Sequence, residues 1–267
     1  MRVVAQQHVF SNSYSIMCFL FINTSSRLVQ KVGGDIAKMS EVIAVSQGIG
    51  TPDLFVNIRA QSLEHAHHIA NTIGAIRGIK IIETNLCFRI HKFISNIGVL
   101  SSMRKRIPAD PPSKDFDILG VLAQDGRQSN SEVARQLKLS EGSIRQRIKK
   151  MLHAGQMQFE VVCSPEALSI DTIAIVRLST VANRTEDTIQ QIVEIEDVTY
   201  VAQVSGNYNI LLLVATTDTQ TLANLCDNTF LAMRGVEKLS VQLLVAHLKH
   251  EYHVSYFEGQ EDIPRRK

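Results

Sequence analysis

Residues 16–93 of this chain return at residues 172–250 with nearly constant spacing. IMCFLFINT (16–24) is answered by TIAIVRLST (172–180), SQGIGTPDLFVNI (46–58) by VAQVSGNYNILLLV (201–214), and AIRGIKIIETNLCFRIHKF (75–93) by AMRGVEKLSVQLLVAHLKH (232–250). Thr24 to Gly50 is 26 residues, and so is Thr180 to Gly206; Gly50 to Gly78 is 28, while Gly206 to Gly235 is 29. The period is therefore about 156, and the one residue gained late in the second copy has the size of a loop change. A repeat of this length means one folding unit built twice, so the two copies must be read with one secondary structure.

In the second copy, Thr172–Leu178 is β-branched and apolar, which suits a strand, and Asn183–Ile195 carries Thr188, Ile189, Ile192, Val193 and Ile195 at near-helical spacing. Thr199–Val204 and Ile210–Ala215 flank SGNYN, a turn whose Gly takes positive φ freely. Thr219–Met233 reads as a helix with Leu222, Leu225, Cys226, Thr229 and Phe230 on one face, and Leu239–His247 as a closing strand. The order β-α-β-β-α-β predicts a ferredoxin-like unit, a four-stranded antiparallel sheet with two helices on one face. That fold alone names no function.

Composition narrows the field. With 267 residues and 45% hydrophobic content, the chain has the material for one to three domain cores. Cys18, Cys87, Cys163 and Cys226 lie far apart, so neither a zinc site nor a disulfide framework is indicated, and no metal or cofactor is expected. Cys18 and Cys87, on strands, read as small core residues. The longest apolar run, Ile16–Ile22, is far shorter than a spanning helix, and no signal-peptide layout is present; a cytoplasmic protein without membrane contact is the expectation.

Net charge is +2, but residues 1–100 carry +4, residues 101–150 carry +5 and residues 151–267 carry −7. The basic middle is the place to look for a polyanion. There, a helix over about 115–124 buries Phe116, Leu119 and Leu122, and Gly126 in DGR supplies a positive φ to end it. Ser129 caps a second helix with Glu132 at capping-box spacing, and Val133, Ala134 and Leu137 face inward. Ser140 caps a third helix whose apolar face is Ile144, Ile148, Met151 and Leu152, and Gly155 stops it. Three short helices with a tight turn make a helix-turn-helix.

The third helix exposes Ser143, Arg145, Gln146, Arg147, Lys149 and Lys150. Arg pairs bidentately with guanine and Gln with adenine in the major groove, while Lys149, Lys150 and Arg127 suit phosphates. With Ser129, Asn130 and Ser140 at helix starts, these are the candidate DNA-binding residues, and double-stranded DNA is the expected partner.

Residues 113–160 resemble the DNA-binding domain of the Lrp/AsnC (feast/famine) transcriptional regulators. The likeness rests on Asp117-Ile118-Leu119, the run from Asp125 to Ala134, Leu139-Ser140, Arg145 to Leu152, and Gly155. Residues 161–252 resemble that family's effector (RAM) domain through Gly206-Asn207-Tyr208-Asn209 and the RGV before the last strand, and residues 3–93 resemble it again. The resemblance implies an α+β chain in which two ferredoxin-like βαββαβ effector domains, 1–94 and 161–257, flank a three-helix winged helix-turn-helix domain at 113–160. A linker at 95–112 (SSMRKRIPADPP lies within it) and a loose tail at 258–267 complete the layout. By position, Gly50, Thr51, Asp53, Gly206, Asn207, Tyr208 and Asn209 are candidates for an amino-acid effector, with Asp53 or Asn209 receiving its ammonium. The resemblance also implies a homo-oligomer, dimer or higher, joined through the effector-domain sheets.

The chain departs from that family by reading effector, DNA-binding, effector. Shifting the repeat by 156 places Met1 on Met157, directly after the helix-turn-helix, so the first copy begins where a first helix-turn-helix would have stopped. Two other readings follow. One is a scaffold or heteromeric partner of another Lrp/AsnC regulator. The other is a siroheme-decarboxylase-like enzyme, which looks similar in combining these domains. His65, His67 and His68 are its tempting cluster, yet they lie on an amphipathic helix and are expected to face water. No nucleophile elbow, phosphate loop or paired carboxylates are present, so the chain is read as not an enzyme.

Overall fold

The structure is a computed structural model that describes residues 1–8, 14–25, 28–94, 114–251 and 254–255. The linker expected at 95–112 and the tail expected at 258–267 lie outside them. The chain divides into two compact units, one of Ile16–Ile94 with Pro165–Lys249, the other of Met1–Ser15, Ser95–Ser164 and His250–Lys267. Among the described residues no helix is long and apolar enough to cross a membrane.

The larger unit holds both copies of the repeat. The first runs β2 (Ile16–Thr24), α1 (Val29–Ala37), β3 (Val42–Ile49), β4 (Leu54–Ala60), α2 (Leu63–Gly74) and β5 (Ile79–Phe93). The second runs β7 (Thr172–Thr180), α6 (Thr185–Val193), β8 (Val198–Val204), β9 (Ile210–Thr216), α7 (Thr219–Asn224) and β10 (Val236–His250). Within each, the strands lie in ferredoxin-like order. The two sheets then join edge to edge, β5 to β8 and β10 to β3, into one closed eight-stranded barrel. The copies are thus one body, and the sheet pairing expected to hold separate chains together is made inside a single chain.

Closure explains the apolar run Ile16–Ile22. Cys18, Leu20 and Ile22 pack with Val32, Ile36, Ile69 and Ile73 of the helices, while the alternating Met17, Phe19 and Phe21 are equally buried on the other face. A strand buried on both faces loses the usual polar alternation. Phe19 stacks on Phe55 at 5.8 Å and meets the ring edge of Tyr200, from the other copy, at 6.0 Å. Arg177, the repeat mate of Phe21, lies over the Phe21 ring at 4.1 Å, so the two equivalent positions meet face to face.

The seams repeat each other. At β5·β8, Asn85 Nδ2 donates to the Ser205 carbonyl at 2.8 Å; at β10·β3, its mate Gln242 donates from Nε2 to the Pro52 carbonyl. Lys92 Nζ reaches the carbonyls of Val193, the last residue of α6, and Ile195, just past it, at 2.9 and 2.8 Å, and its mate Lys249 reaches the Met39 carbonyl at 2.7 Å, just past α1. Each copy therefore sends an ammonium to the negative helix end of the other, where cations are favoured.

The extra residue of the second copy is not in a loop. α7 starts in step with α2 but continues into a π-helical turn, Leu225–Phe230, where α2 stays regular. A π-turn absorbs one residue without moving the flanking elements, which is how Gly78 and Gly235 keep equivalent places.

The smaller unit contains α3 (Lys114–Leu122), α4 (Asn130–Leu137), α5 (Glu141–His153), and a sheet in which β1 (Arg2–His8) is flanked by β6 (Met157–Val162) and β11 (Val254–Ser255). Arg2–His8 was expected to open the first effector copy; it pairs instead with β6 and belongs with the helices, which shifts both effector boundaries inward. The β1·β6 ribbon is antiparallel, with Val4 opposite Glu160. These two are themselves repeat mates, so the ribbon has a local two-fold through that pair. Ala5 and Met157 join Ile118, Leu119, Leu122, Val133, Ala134, Ile144 and Met151 in one core.

Candidate nucleic-acid interface

Local chemistry sets the three helices. Ser129 and Glu132 form a full capping box: the Glu132 amide donates to Ser129 Oγ, and the Ser129 amide donates to Glu132 Oε2 at 2.7 Å. Those bonds to the Ser129 backbone and hydroxyl hold the Glu132 carboxyl below its usual range. The turn to α5 runs through Lys138, whose left-handed φ of 55° lets Leu139 N–H return to the Ala134 carbonyl at 3.0 Å. Ser140 Oγ then accepts from the Ser143 amide and starts α5. Gly155, with φ of 60°, follows the helix. Gly126 does not take the positive φ expected of it; its reason is space, since a Cβ there would press on Val3 and Phe159.

The third helix presents its polar face as the spacing predicts. Ile144 and Met151 are buried, and Gly142, Arg145, Gln146, Lys149, Lys150 and His153 are exposed. At Gly142 an added Cβ would meet nothing within 4 Å, so the backbone of the first turn is open to approach. Arg145, Lys149 and His153 line an open cleft of about 380 Å³ with Asn130 at the start of α4, over a floor of Ile148 and Leu152.

Three sequence expectations change. Arg147 does not join the exposed stripe: its Nη1 donates to Asp115 Oδ1 at 2.6 Å, tying α5 to α3. Leu152, expected inside, is 41% exposed. Ser129 and Ser140 spend their hydroxyls on helix starts. His153 was missed, although it stands seven residues after Gln146 on one stripe and was legible on that ground. Arg127 is exposed, its amide bonded to Asp125 Oδ1 at 3.0 Å.

The effector candidates divide as well. Asp53 Oδ2 accepts from the Thr24 amide and hydroxyl at 2.6 and 3.1 Å. Its mate Asn209 accepts through Oδ1 from the Thr180 amide and hydroxyl at 2.9 and 3.2 Å, and its Nδ2 donates to Thr180 and Thr185 hydroxyls. Both side chains pin the turn to the end of the first strand, which corrects the expectation that either stands ready for an ammonium. Tyr208 is a ring partner of Arg177, at 4.7 Å. Gly50, Thr51, Gly206 and Asn207 remain exposed, with φ of 97° and 112° at the two glycines.

His67 and His68 are exposed on α2, with His67 Nε2 2.9 Å from Asn71 Nδ2. Among the described residues, no three His, Cys, Asp or Glu side chains gather to hold a metal. Cys18 and Cys87 have thiols pushed up by burial to about 11 and about 12, out of the nucleophilic range.

The family models agree with this layout. The AsnC-type helix-turn-helix domain matches residues 113–152, and the Lrp/AsnC ligand binding domain matches twice, at 17–96 and 173–254. The chain belongs to the Lrp/AsnC family. Among its relatives, the HTH-type transcriptional regulator Ptr1 of Methanocaldococcus jannaschii is 25% identical over 136 residues, 51% of this chain and 92% of the relative. The HTH-type transcriptional regulator FL11 of Pyrococcus furiosus is 26% identical over 124 residues, 46% and 82% of the two chains. Each relative thus corresponds to about half of this Lrp/AsnC chain. Of solved structures, a transcriptional regulator of Neisseria meningitidis in complex with L-Met is 26% identical, with a TM-score of 0.50 over 52% of this chain and 94% of that one. The siroheme decarboxylase NirDL has a TM-score of 0.66 over 96% of this chain and 79% of its own, at 11% identity, a likeness of fold alone.

Proposed function

We propose that this Lrp/AsnC chain is a sequence-specific DNA-binding transcriptional regulator. The observation that carries the reading is the exposed stripe of α5, in which Gln146 stands between an open glycine turn and the cations Arg145 and Lys149. In the major groove Gln146 and Arg145 read base edges, while Lys149, beside Asn130 at a helix start, holds the phosphate backbone. Lys150 and Arg127 extend the contact with phosphates, and Arg147 keeps the helices in register.

The test is binding to DNA upstream of its own gene across a salt series. Wild type is expected to bind specifically and to weaken steeply with salt. Gln146→Ala should cost about 1–3 kcal/mol against the preferred site and little elsewhere. Lys149→Ala should weaken all sequences alike and lower the salt slope by about one. Weak binding by wild type, indifferent to sequence, overturns the reading.

An amino-acid effector belongs to the same proposal, supported by the relative solved with L-Met. With Asp53 and Asn209 engaged, the exposed backbone of Gly50, Thr51, Gly206 and Asn207 is the surface that meets its carboxylate. L-methionine at millimolar concentration should raise the melting midpoint of the chain; no shift with any of the twenty amino acids removes this part.

A further inference from the structure

The open cleft beside α5 combines two unlike surfaces. Arg145, Lys149 and His153 recur four residues apart and form one polar line along the helix. Ile148 and Leu152, also four apart, run beside that line as an apolar floor, and Asn130 of α4 completes the lining. The floor is more than the edge of the core. Ile148 packs against the buried cluster of the three helices, whereas Leu152 is 41% exposed. A volume of about 380 Å³ is at the small end of ligand clefts, enough for a nucleotide-sized group and too little for a partner helix. Carbon under a rim of donors is a poor seat for a bare anion, which would lose water there without gaining a bond. It suits a group with an apolar face flanked by anions.

Resting on the DNA-binding reading above, we propose that this cleft seats one sugar of a DNA strand and there distinguishes deoxyribose from ribose. The sugar lays its carbon face on Ile148 and Leu152. The phosphates on either side of it go to Lys149 and His153, with Asn130 Nδ2 as a further donor. Lys149 and His153 stand about 6 Å apart along the helix axis, close to the spacing of successive phosphates on a strand. The charge is complementary, since Arg145, Lys149 and Lys150 are all exposed on this helix and a strand brings one phosphate with each sugar. His153 needs no charge for its part, because the neutral ring keeps one N–H to donate. Leu152 is thereby a positioning residue, and it sets a preference that phosphate contacts cannot set. A 2′-hydroxyl on the seated sugar would be pressed onto carbon without a partner.

The test is a single-ribonucleotide scan of the duplex that the full chain binds upstream of its own gene, read by fluorescence anisotropy. At one position for each bound helix-turn-helix, ribose should weaken binding about tenfold, the cost of burying an unpaired hydroxyl. A 2′-fluoro sugar at that position shifts the pucker as ribose does but brings no hydroxyl, and should bind like deoxyribose. Leu152→Ser gives the hydroxyl a partner and should bring the ribose penalty below about twofold. Leu152→Met should keep the penalty, and Lys149→Ala should weaken deoxyribose and ribose duplexes alike. An uncharged methylphosphonate beside the seated sugar should cost wild type more affinity than it costs His153→Leu. Two outcomes overturn the proposal and leave the DNA-binding reading intact: binding with no position sensitive to ribose, or a ribose penalty that survives Leu152→Ser. Absence of DNA binding by wild type overturns both.

Discussion

The two seams of the barrel are built to one plan with different chemistry. At β5·β8, Ile90 stands opposite Ala202. At β10·β3 the mates of these residues are His247 and Ser46, joined Nδ1 to Oγ at 2.9 Å. Around this station both seams keep an amide reaching across, Asn85 or Gln242, and a strand lysine, Lys92 or Lys249, that reaches the end of the other copy's helix. The outer stations are under the same geometric demand, a carbonyl left over at a turn or a helix end, and so they keep a donor. The middle station demands only a filled volume, and there an apolar pair and a hydrogen-bonded pair are alternatives. The turns behave likewise: Asp53 needs only the two donors of Thr24, whereas Asn209 brings an NH₂ group and meets Thr185, where the first copy has Val29.

The glycines of the two turns should separate the seams most strongly. Gly206 has φ of 112° and its Cβ would press on Asn85, while Gly50, at 97°, has nothing within 4 Å. Urea unfolding should give a loss of about 3 kcal/mol for Gly206→Ala and about 1–2 kcal/mol for Gly50→Ala; equal losses would mean that Asn85 yields freely. Next, Lys92→Met should cost about 2 kcal/mol, since it takes the ammonium from the Val193 and Ile195 carbonyls and leaves Ile195 only the Val198 amide at 3.2 Å, and Lys249→Met should show whether the mate does equal duty.

The middle station predicts a pH effect. Desolvation pushes the His247 pKa below the ordinary 6.5, so the fold holds the ring neutral and the unfolded chain takes up the proton more readily. Its contribution is present above pH about 6.5 and is lost progressively as pH falls below that value. His247→Ile with Ser46→Ala, the chemistry of the other seam, should flatten thermal midpoints between pH 5 and pH 7; a slope that persists would locate the acid sensitivity elsewhere. Smallest of all, Asp53→Asn should change stability by about 0.5 kcal/mol or less, because Thr24 can bond an amide oxygen as Thr180 does.

The repeat made each copy legible, because strands and helices had to be consistent with two sequences at once, and the capping serines of the helix-turn-helix declare themselves within three residues. Barrel closure was harder to read. The run Ile16–Ile22 says that both faces of β2 are covered, but not that Met17, Phe19 and Phe21 meet Tyr200 and Arg177 from about 160–180 residues away in sequence. Of the candidate sites, the stripe on α5 followed from helical periodicity. Arg147 misled because a wheel assigns it to the flank and is blind to Asp115 on another helix. Asp53 and Asn209 misled because a polar residue in a turn looks free until the strand end beneath it is known.

In a dimer the residues nearest a two-fold axis face copies of themselves, so no substitution there can be made on one side only. Here Phe21 lies beneath Arg177 and Val4 opposite Glu160, pairings that identical subunits cannot form. Holding both halves in one polypeptide also removes dilution as a variable. No second chain has to be recruited to close the barrel, so its melting temperature should not depend on protein concentration.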